Sequence, residues 1–462
     1  MQWTKRQISI MLIVAVTSFM GTFLVSSINI ALPAIGKNFG LDSVTLSWVV
    51  TSFLLSTALF LLPVGRWGDL TGIRRLYKAG LIIFTVSSLM CGLAGSGFWL
   101  IFFRFLQGIG AAFTNTTGQA ILVSAFPPKH RGRVLGISVS AVYMGLAFGP
   151  FVGGFMTQHI GWRSIFLAAS ALGILSTVIA FLFMEKDEPV TVVGRKINLK
   201  GIGFYMLGLV GLVYGASRIP GASGWLMMAA AVPALIIFWV LESRSSLPVI
   251  DTKLFTQNRL FAYSNVAALI NYSATSAIVF FLSLYLQKIQ GFSPREAGTI
   301  LIAQPVMMAV FSPFVGRLSD RIQPRYFATL GMTMCSMGLV AFAFFTDTTP
   351  VWLIVLILIW VGLGFAFFSS PNMNTIMSSV DKTQYGLASG SAASMRVIGQ
   401  IISMTIVTLF FAGLFDGKAI DAVPDTLFLT AMKWGFISFS LLSISGIYFS
   451  YNRGKMNRDI PV

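Results

Sequence analysis

Two charged stretches stand out in an otherwise apolar chain, and both carry the residue types of a small ion-pair network. Gly65-Arg66-Trp67-Gly68-Asp69-Leu70-Thr71-Gly72-Ile73-Arg74-Arg75 is echoed 251 positions later by Gly316-Arg317-Leu318-Ser319-Asp320-Arg321-Ile322-Gln323-Pro324-Arg325. Each has Gly, then Arg at +1, Asp at +4 and Arg at +9, and each lies between long apolar runs. Two further cations, Arg104 and Arg396, sit inside apolar runs. A guanidinium within a membrane span costs about 3 kcal/mol on insertion scales, so a functional role is the default reading. For Arg104, snorkelling to an interface is the alternative; Arg396, nearer the middle of its run, is harder to explain that way. The neutral polar residues in such runs, Asn29, Asn115, Gln119, Tyr143, Asn271, Tyr272, Gln304, Asn372 and Gln400, supply hydrogen-bonding points. For each one singly, a helix–helix hydrogen bond is the plainer role. With the Met and Phe around them they suit an adaptable apolar pocket.

The elements that must position these residues are membrane helices. With 56% hydrophobic and 10% charged residues, the 462-residue chain is far from the ~25% charge of a soluble domain. Its mean hydropathy is +0.82. Apolar runs of about 20 residues recur along the whole length, the signature of a polytopic membrane protein. Bilayer thickness predicts fourteen spans, the first six at 8–35, 45–67, 76–96, 98–126, 133–158 and 162–184. Two shorter ones follow at 200–217 and 224–243. The last six are 260–287, 295–317, 326–346, 350–378, 385–415 and 427–450. More polar linkers, 185–199 and 242–259, bracket the middle pair. The expected organisation is a six-helix half over 1–184, linkers and two inserted helices over 185–258, and a second six-helix half over 259–462. The run from Ile8 to Ile35 is too long for a signal-peptide core and is read as a retained span. Cys91 and Cys335 lie inside apolar runs, so packed thiols are expected rather than a disulfide.

The net charge of +17 does not form a patch on a soluble domain, which argues against nucleic acid. The basic residues instead alternate between loops. With the N-terminus in the cytosol, 23 of the 32 Lys and Arg fall inside and seven outside, the remaining two being Arg104 and Arg396. That bias predicts both termini in the cytosol and places both echoed loops on one face. Repeated loops in two halves suggest internal duplication, and two halves rocking about a shared site are the usual plan of a secondary transporter.

The echoed loop resembles the cytoplasmic motif of the major facilitator superfamily. The resemblance makes Gly65 and Gly316 points of close helix approach. It makes Asp69 and Asp320, with Arg66, Arg74, Arg75 and Arg325, a charge latch for the cytosolic side; the alternative is a topology signal with an incidental acid. Gly145-Leu146-Ala147-Phe148-Gly149-Pro150-Phe151-Val152-Gly153-Gly154 matches that superfamily's antiporter signature at every defined position. Its small residues permit tight packing and Pro150 bends the helix. Through that resemblance Gly145, Gly149, Pro150, Gly153 and Gly154 imply an exporter; the alternative is ordinary small-residue packing. Arg104-Phe105-Leu106-Gln107-Gly108 looks like the motif whose arginine is associated with proton coupling. Asn29-Ile30-Ala31-Leu32-Pro33, Trp162-Arg163-Ser164-Ile165-Phe166, residues 242–255, Tyr285-Leu286-Gln287 and Pro371-Asn372 narrow the resemblance to the fourteen-helix drug:proton antiporter branch over essentially the whole chain.

The chain departs from that branch in one respect. Members often carry an acid just before the Asn-x-Ala-Leu-Pro stretch, where this sequence reads Phe23-Leu24-Val25-Ser26-Ser27-Ile28. All fifteen acids fall in loops, tails or span ends. A proton carrier is usually a partly desolvated carboxylate, because burial raises its pKa towards neutrality. Here the interior holds arginines, which stay protonated. The resemblance implies export of amphiphilic small molecules across the cytoplasmic membrane in exchange for protons, while the acid-free interior favours neutral or anionic ones. The alternative is a permease or exporter of anionic metabolites or lipids using Arg104 and Arg396. Asn29, Asn271 and Asn372 join these arginines as candidate coupling or substrate residues. A monomer among membrane lipids is expected, with no cofactor. An enzyme is not expected: His130 lies in a basic loop, His159 ends a span, and neither clusters with metal ligands or a nucleophile.

Overall fold

The computed structural model describes residues 3–126, 128–185, 198–245, 248–250, 252–319, 321–380 and 385–456. They are helical almost throughout and contain no β-strand. The first six helices are α1 (Lys5–Phe39), α2 (Ser43–Thr71), α3 (Ile73–Gly92), α4 (Gly97–Ala125), α5 (Pro128–His159) and α6 (Arg163–Phe183). A hairpin follows, α7 (Leu199–Ser217) and α8 (Ala222–Ser243), then the short α9 (Thr252–Gln257). The remainder is α10 (Arg259–Thr275), α11 (Ile278–Lys288), α12 (Pro294–Leu301), α13 (Ala303–Ser319), α14 (Pro324–Ala343), α15 (Val351–Ser378), α16 (Tyr385–Leu414) and α17 (Asp425–Asn452).

Among the described residues, thirteen segments are long and apolar enough to cross a membrane. The twenty-residue α3 makes a fourteenth of membrane length, its start loaded with Arg74, Arg75 and Lys78. Local chemistry sets the helix starts. Thr4 and Gln7 form a capping box on α1, and the Asp42, Ser96, Asn198 and Asn258 side chains each accept an amide at the start of α2, α4, α7 and α10. Ser293 and Glu296 form a second box on α12, which accounts for the Glu296 carboxylate.

Packing repeats itself. Among the first six helices α1 lies on α5, α2 on α4, and α3 on both α4 and α6. Among the last, α10 lies on α16, α13 on α15, and α14 on both α15 and α17. The two sets meet where α5 faces α12 and α13, where α1 faces α11, and where α2 faces α16. The hairpin is attached through α7, which touches both α2 and α16. Tyr205 on α7 donates to the Ala58 carbonyl on α2 at 2.9 Å.

Two spans read as continuous in the sequence are broken in the structure. Between α10 and α11 the chain turns at Ser276–Ala277, and the Ser403 hydroxyl on α16 accepts the Ala277 amide at 3.0 Å. That hydroxyl replaces a helical acceptor, which makes the break tolerable in an apolar interior. Between α12 and α13 the interruption falls at Ile302, where Pro305 lacks the amide that would bond the Leu301 carbonyl. Arg453, read from the sequence as a tail residue, follows α17 directly and is 1% exposed.

Candidate functional site

The glycines of the Gly145–Gly154 stretch explain how α5 reaches its neighbours. A Cβ on Gly145 would strike Thr22 and Phe19 O, one on Gly149 would strike Ser26, and one on Gly153 would strike Ser27. All four of these residues lie on α1. Thr22 and Ser27 also donate their hydroxyls to α5 carbonyls, those of Val142 at 3.0 Å and Gly149 at 2.9 Å. Gly154 faces elsewhere, against the backbone of Pro294 and Arg295, while Gly298 on α12 faces Pro150 O. Glycine thus meets backbone from both sides of one seam, the close approach that membrane helices use in place of a hydrophobic drive. This end of the bundle, opposite the chain termini, carries further cross-links. Ser283 donates to Asn29 O at 2.7 Å, Gln287 to Ile30 O at 3.0 Å, and Ser43 to Lys418 O at 2.6 Å.

Midway through the bundle a polar cluster spans the two sets of helices. The hydroxyls of Tyr143 on α5 and Ser369 on α15 are 3.0 Å apart. The Tyr272 phenol on α10 faces Ser369 and Arg396 as hydrogen-bonding neighbours, with Tyr143 close by. Gly399, one turn beyond Arg396, has no side chain to hold α16 away from Tyr272; a Cβ there would lie 2.8 Å from the Tyr272 Cβ. Phe365 on α15 meets the Tyr272 ring edge-on, centroids 5.4 Å apart. Arg396 and all three of its neighbours are partly accessible rather than sealed.

Arg104 lies elsewhere. It is 0% exposed, inside the first six helices. Its Nε donates to Val49 O at 3.0 Å and Nη1 to Gln107 Oε1 at 2.6 Å, while Gln107 donates to Ser88 at 2.7 Å. Phe53 covers the guanidinium at 4.4 Å and Phe166 stands at 5.9 Å, cation–π contacts that are strengthened by desolvation. Nη2 is buried with no hydrogen-bond partner. The two arginines paired in the sequence reading therefore occupy different environments.

The three candidate asparagines also separate. Asn29 Oδ1 is buried without a partner. Asn271 has both amide atoms buried and unpaired, beside Cys335. Asn372 is committed: its Nδ2 donates to Ser264 O at 3.1 Å and its Oδ1 accepts from Arg453 at 2.7 Å. Arg453 also donates to Ser264 Oγ and to Ser450, so this guanidinium is held by neutral oxygens inside the end of the bundle near the termini.

In the first echoed loop, Gly65 lies against Thr116 of α4, and Arg66 donates to Pro248 O at 2.8 Å. Pro248 belongs to the stretch after α8, and Glu242 in the last turn of α8, 1% exposed, accepts from the Val249 amide of that stretch and from Asn198. Arg74 pairs at 3.9 Å with Glu185, which Arg6 also engages. In the second, Gly316 lies against Ser370 of α15, and Arg325 stacks near Tyr326 and Tyr451. The Asp69 side chain and residue Asp320 lie outside the described residues. Sequence reasoning passed over Ser369 and the structural parts of Glu242 and Arg453. Gly399, one helical turn after Arg396, was the available signal that something packs beside that arginine.

Among the described residues, membrane-length helices whose packing pattern occurs twice, with a polar cluster between the two sets, have the architecture of a membrane transporter. The family model of the Major Facilitator Superfamily matches residues 11–404, and the chain belongs to that family. It is 30% identical over 414 residues to the riboflavin transporter RibZ of Clostridioides difficile, covering 88% of this chain and 89% of the relative. It is 30% identical over 413 residues to the multidrug resistance protein Stp of Mycobacterium tuberculosis, covering 86% and 75%. The tetracenomycin C resistance and export protein of Streptomyces glaucescens is 28% identical over 404 residues, covering 86% and 74%. The crystal structure of a D-xylose–proton symporter shares the fold, with a TM-score of 0.70 at 13% identity over 98% of this chain and 99% of that one.

Proposed function

We propose that this chain exports amphiphilic small molecules across the cytoplasmic membrane in exchange for protons, by alternating access, as a monomer with both termini in the cytosol. Residues 1–184 and 259–462 are the rocking halves, and 185–258 contributes the inserted hairpin. The observation that carries this reading is the glycine-to-backbone seal between α5 and α12, Gly154 on Pro294 and Gly298 on Pro150, at the end of the bundle away from the termini. Such a seal closes one side of a pathway whose polar cluster lies deeper between the halves. The echoed loops, through Gly65, Asp69, Arg74, Arg75, Gly316, Asp320 and Arg325, latch the opposite side when it closes. The relatives named for drug resistance and export support the direction and the substrate class, and the riboflavin transporter supports a planar, hydrogen-bonding cargo. The test is dye accumulation in everted membrane vesicles under an imposed proton gradient. Uptake that collapses with a protonophore is expected; uptake indifferent to the gradient overturns the proton exchange.

A further inference from the structure

Arg396 lies about 16 Å along α16 from Tyr385, reckoned from the helix rise. An intramembrane guanidinium persists where a partner or an aqueous cavity compensates it. Its neighbours here are neutral: the Tyr272 phenol, then Ser369 and Tyr143 beyond it. None of the ion pairs among the described residues includes Arg396. The described acids lie in loops or in the terminal turns of helices. The described interior thus holds a partly accessible cation that pairs with no acid, next to an aromatic edge pair, Tyr272 and Phe365. Arg104 does not share this position, because Val49, Gln107 and two phenylalanines enclose it within one set of helices.

We propose that the substrate supplies the missing charge: the transported molecule is a planar aromatic amphiphile bearing one anionic oxygen group, seated on Arg396 and Tyr272. The ring lies on the Tyr272–Phe365 pair, and the anionic oxygens take charge-assisted hydrogen bonds from the guanidinium, which exceed those of a neutral phenol. Recognition is single-point, through Arg396 and not Arg104. An anion on Arg396 competes with Tyr272 for the guanidinium and so perturbs the Ser369–Tyr143 contact that joins α15 to α5. Occupancy is thereby felt by the helix that carries the Gly145–Gly154 stretch. This inference rests on the transporter reading above.

The test uses three dyes: anilinonaphthalene sulfonate, its uncharged counterpart N-phenylnaphthylamine, and the cation ethidium. Binding to the full-length protein in nanodiscs and uptake into everted vesicles are measured separately. Arg396→Gln is expected to weaken sulfonate binding about tenfold, while N-phenylnaphthylamine binding changes less than about twofold. Arg396→Lys should recover part of the sulfonate affinity, and Arg104→Gln, where it folds, should leave the selectivity between the two dyes unchanged. Equal losses for the charged and uncharged dyes in Arg396→Gln, or wild-type preference for ethidium, overturn the proposal. Sulfonate binding that depends on Arg396 without gradient-driven uptake of any dye upholds the site and overturns the exporter reading instead.

Discussion

The hydroxyls of Tyr143 and Ser369 meet at 3.0 Å and tie α5 to α15 in the interior of the bundle. Tyr143 stands two residues before Gly145, so the helix that packs on α1 through glycine also carries a breakable bond to the second set of helices. A neutral hydroxyl pair is worth about 1 kcal/mol net, a contact that holds a conformation without trapping it.

Tyr143→Phe keeps the ring and deletes this bond. The balance between the two access states should shift about fivefold away from the state described here, with folding stability nearly unchanged. Distance distributions between spin labels on α5 and α15 report the shift.

Gly298→Ala should be costly, because the new Cβ overlaps Pro150 O and backbone cannot swing aside. A loss of about 1–3 kcal/mol is expected, with transport falling in step as the seal fails to close. Gly21→Ala is the control: its Cβ would meet nothing within 4 Å, so stability should hold or rise by under about 1 kcal/mol. Cys91 and Cys335 are buried free thiols, so a thiol-reactive fluorophore reads the unfolding midpoint of each variant.

Arg104→Lys retains the charge and loses the planar fork that serves Val49 and Gln107 at once and lies over Phe53. The same thiol assay should register about 1.5–3 kcal/mol of destabilisation. Discrimination between anionic and neutral dyes should survive, which separates this arginine from Arg396.

Arg453→Ala should be damaging, at about 1–3 kcal/mol, since the buried Asn372 Oδ1 and Ser264 Oγ would each lose the donor they share. The double variant Arg453→Met with Asn372→Leu should recover much of that loss in the unfolding midpoint. Equal instability of the single and double variants would show that packing, not polarity, sets the requirement.

Asp69→Asn should slow gradient-driven uptake severalfold while leaving dye binding and the unfolding midpoint nearly intact. Loss of the folded protein instead would assign Asp69 to structure alone.

Much of the architecture was legible because the bilayer imposes a single length scale on every apolar run. Runs of about 20 residues became helices near the predicted limits. The breaks at Ser276–Ala277 and at Ile302 were not legible, because their stability comes from a hydroxyl on α16 and from a proline acting on a carbonyl four residues back. The site was partly legible. Residue type alone singled out Arg104 and Arg396 as equals, yet only tertiary packing separates an enclosed guanidinium from an accessible one. Tyr143 and Tyr272 stood in the sequence as two of many polar residues, and their meeting depends on a contact across 129 positions of chain. Arg453 misled for a related reason: a basic residue beside a terminus reads as a topology signal, whereas here it fills the space between α10, α15 and α17.

The placement of α7 has a consequence for how lipid-dissolved molecules arrive. Two lateral seams join the two sets of helices, one along α2 and α16 and one along α5, α12 and α13. The hairpin covers the first through α7, with Tyr205 bonded to Ala58 O, and just past α8 the Pro248 carbonyl accepts from Arg66. A compound already partitioned into the bilayer therefore meets two unlike flanks, one overlaid by an added pair of helices and one shut by glycine resting directly on backbone.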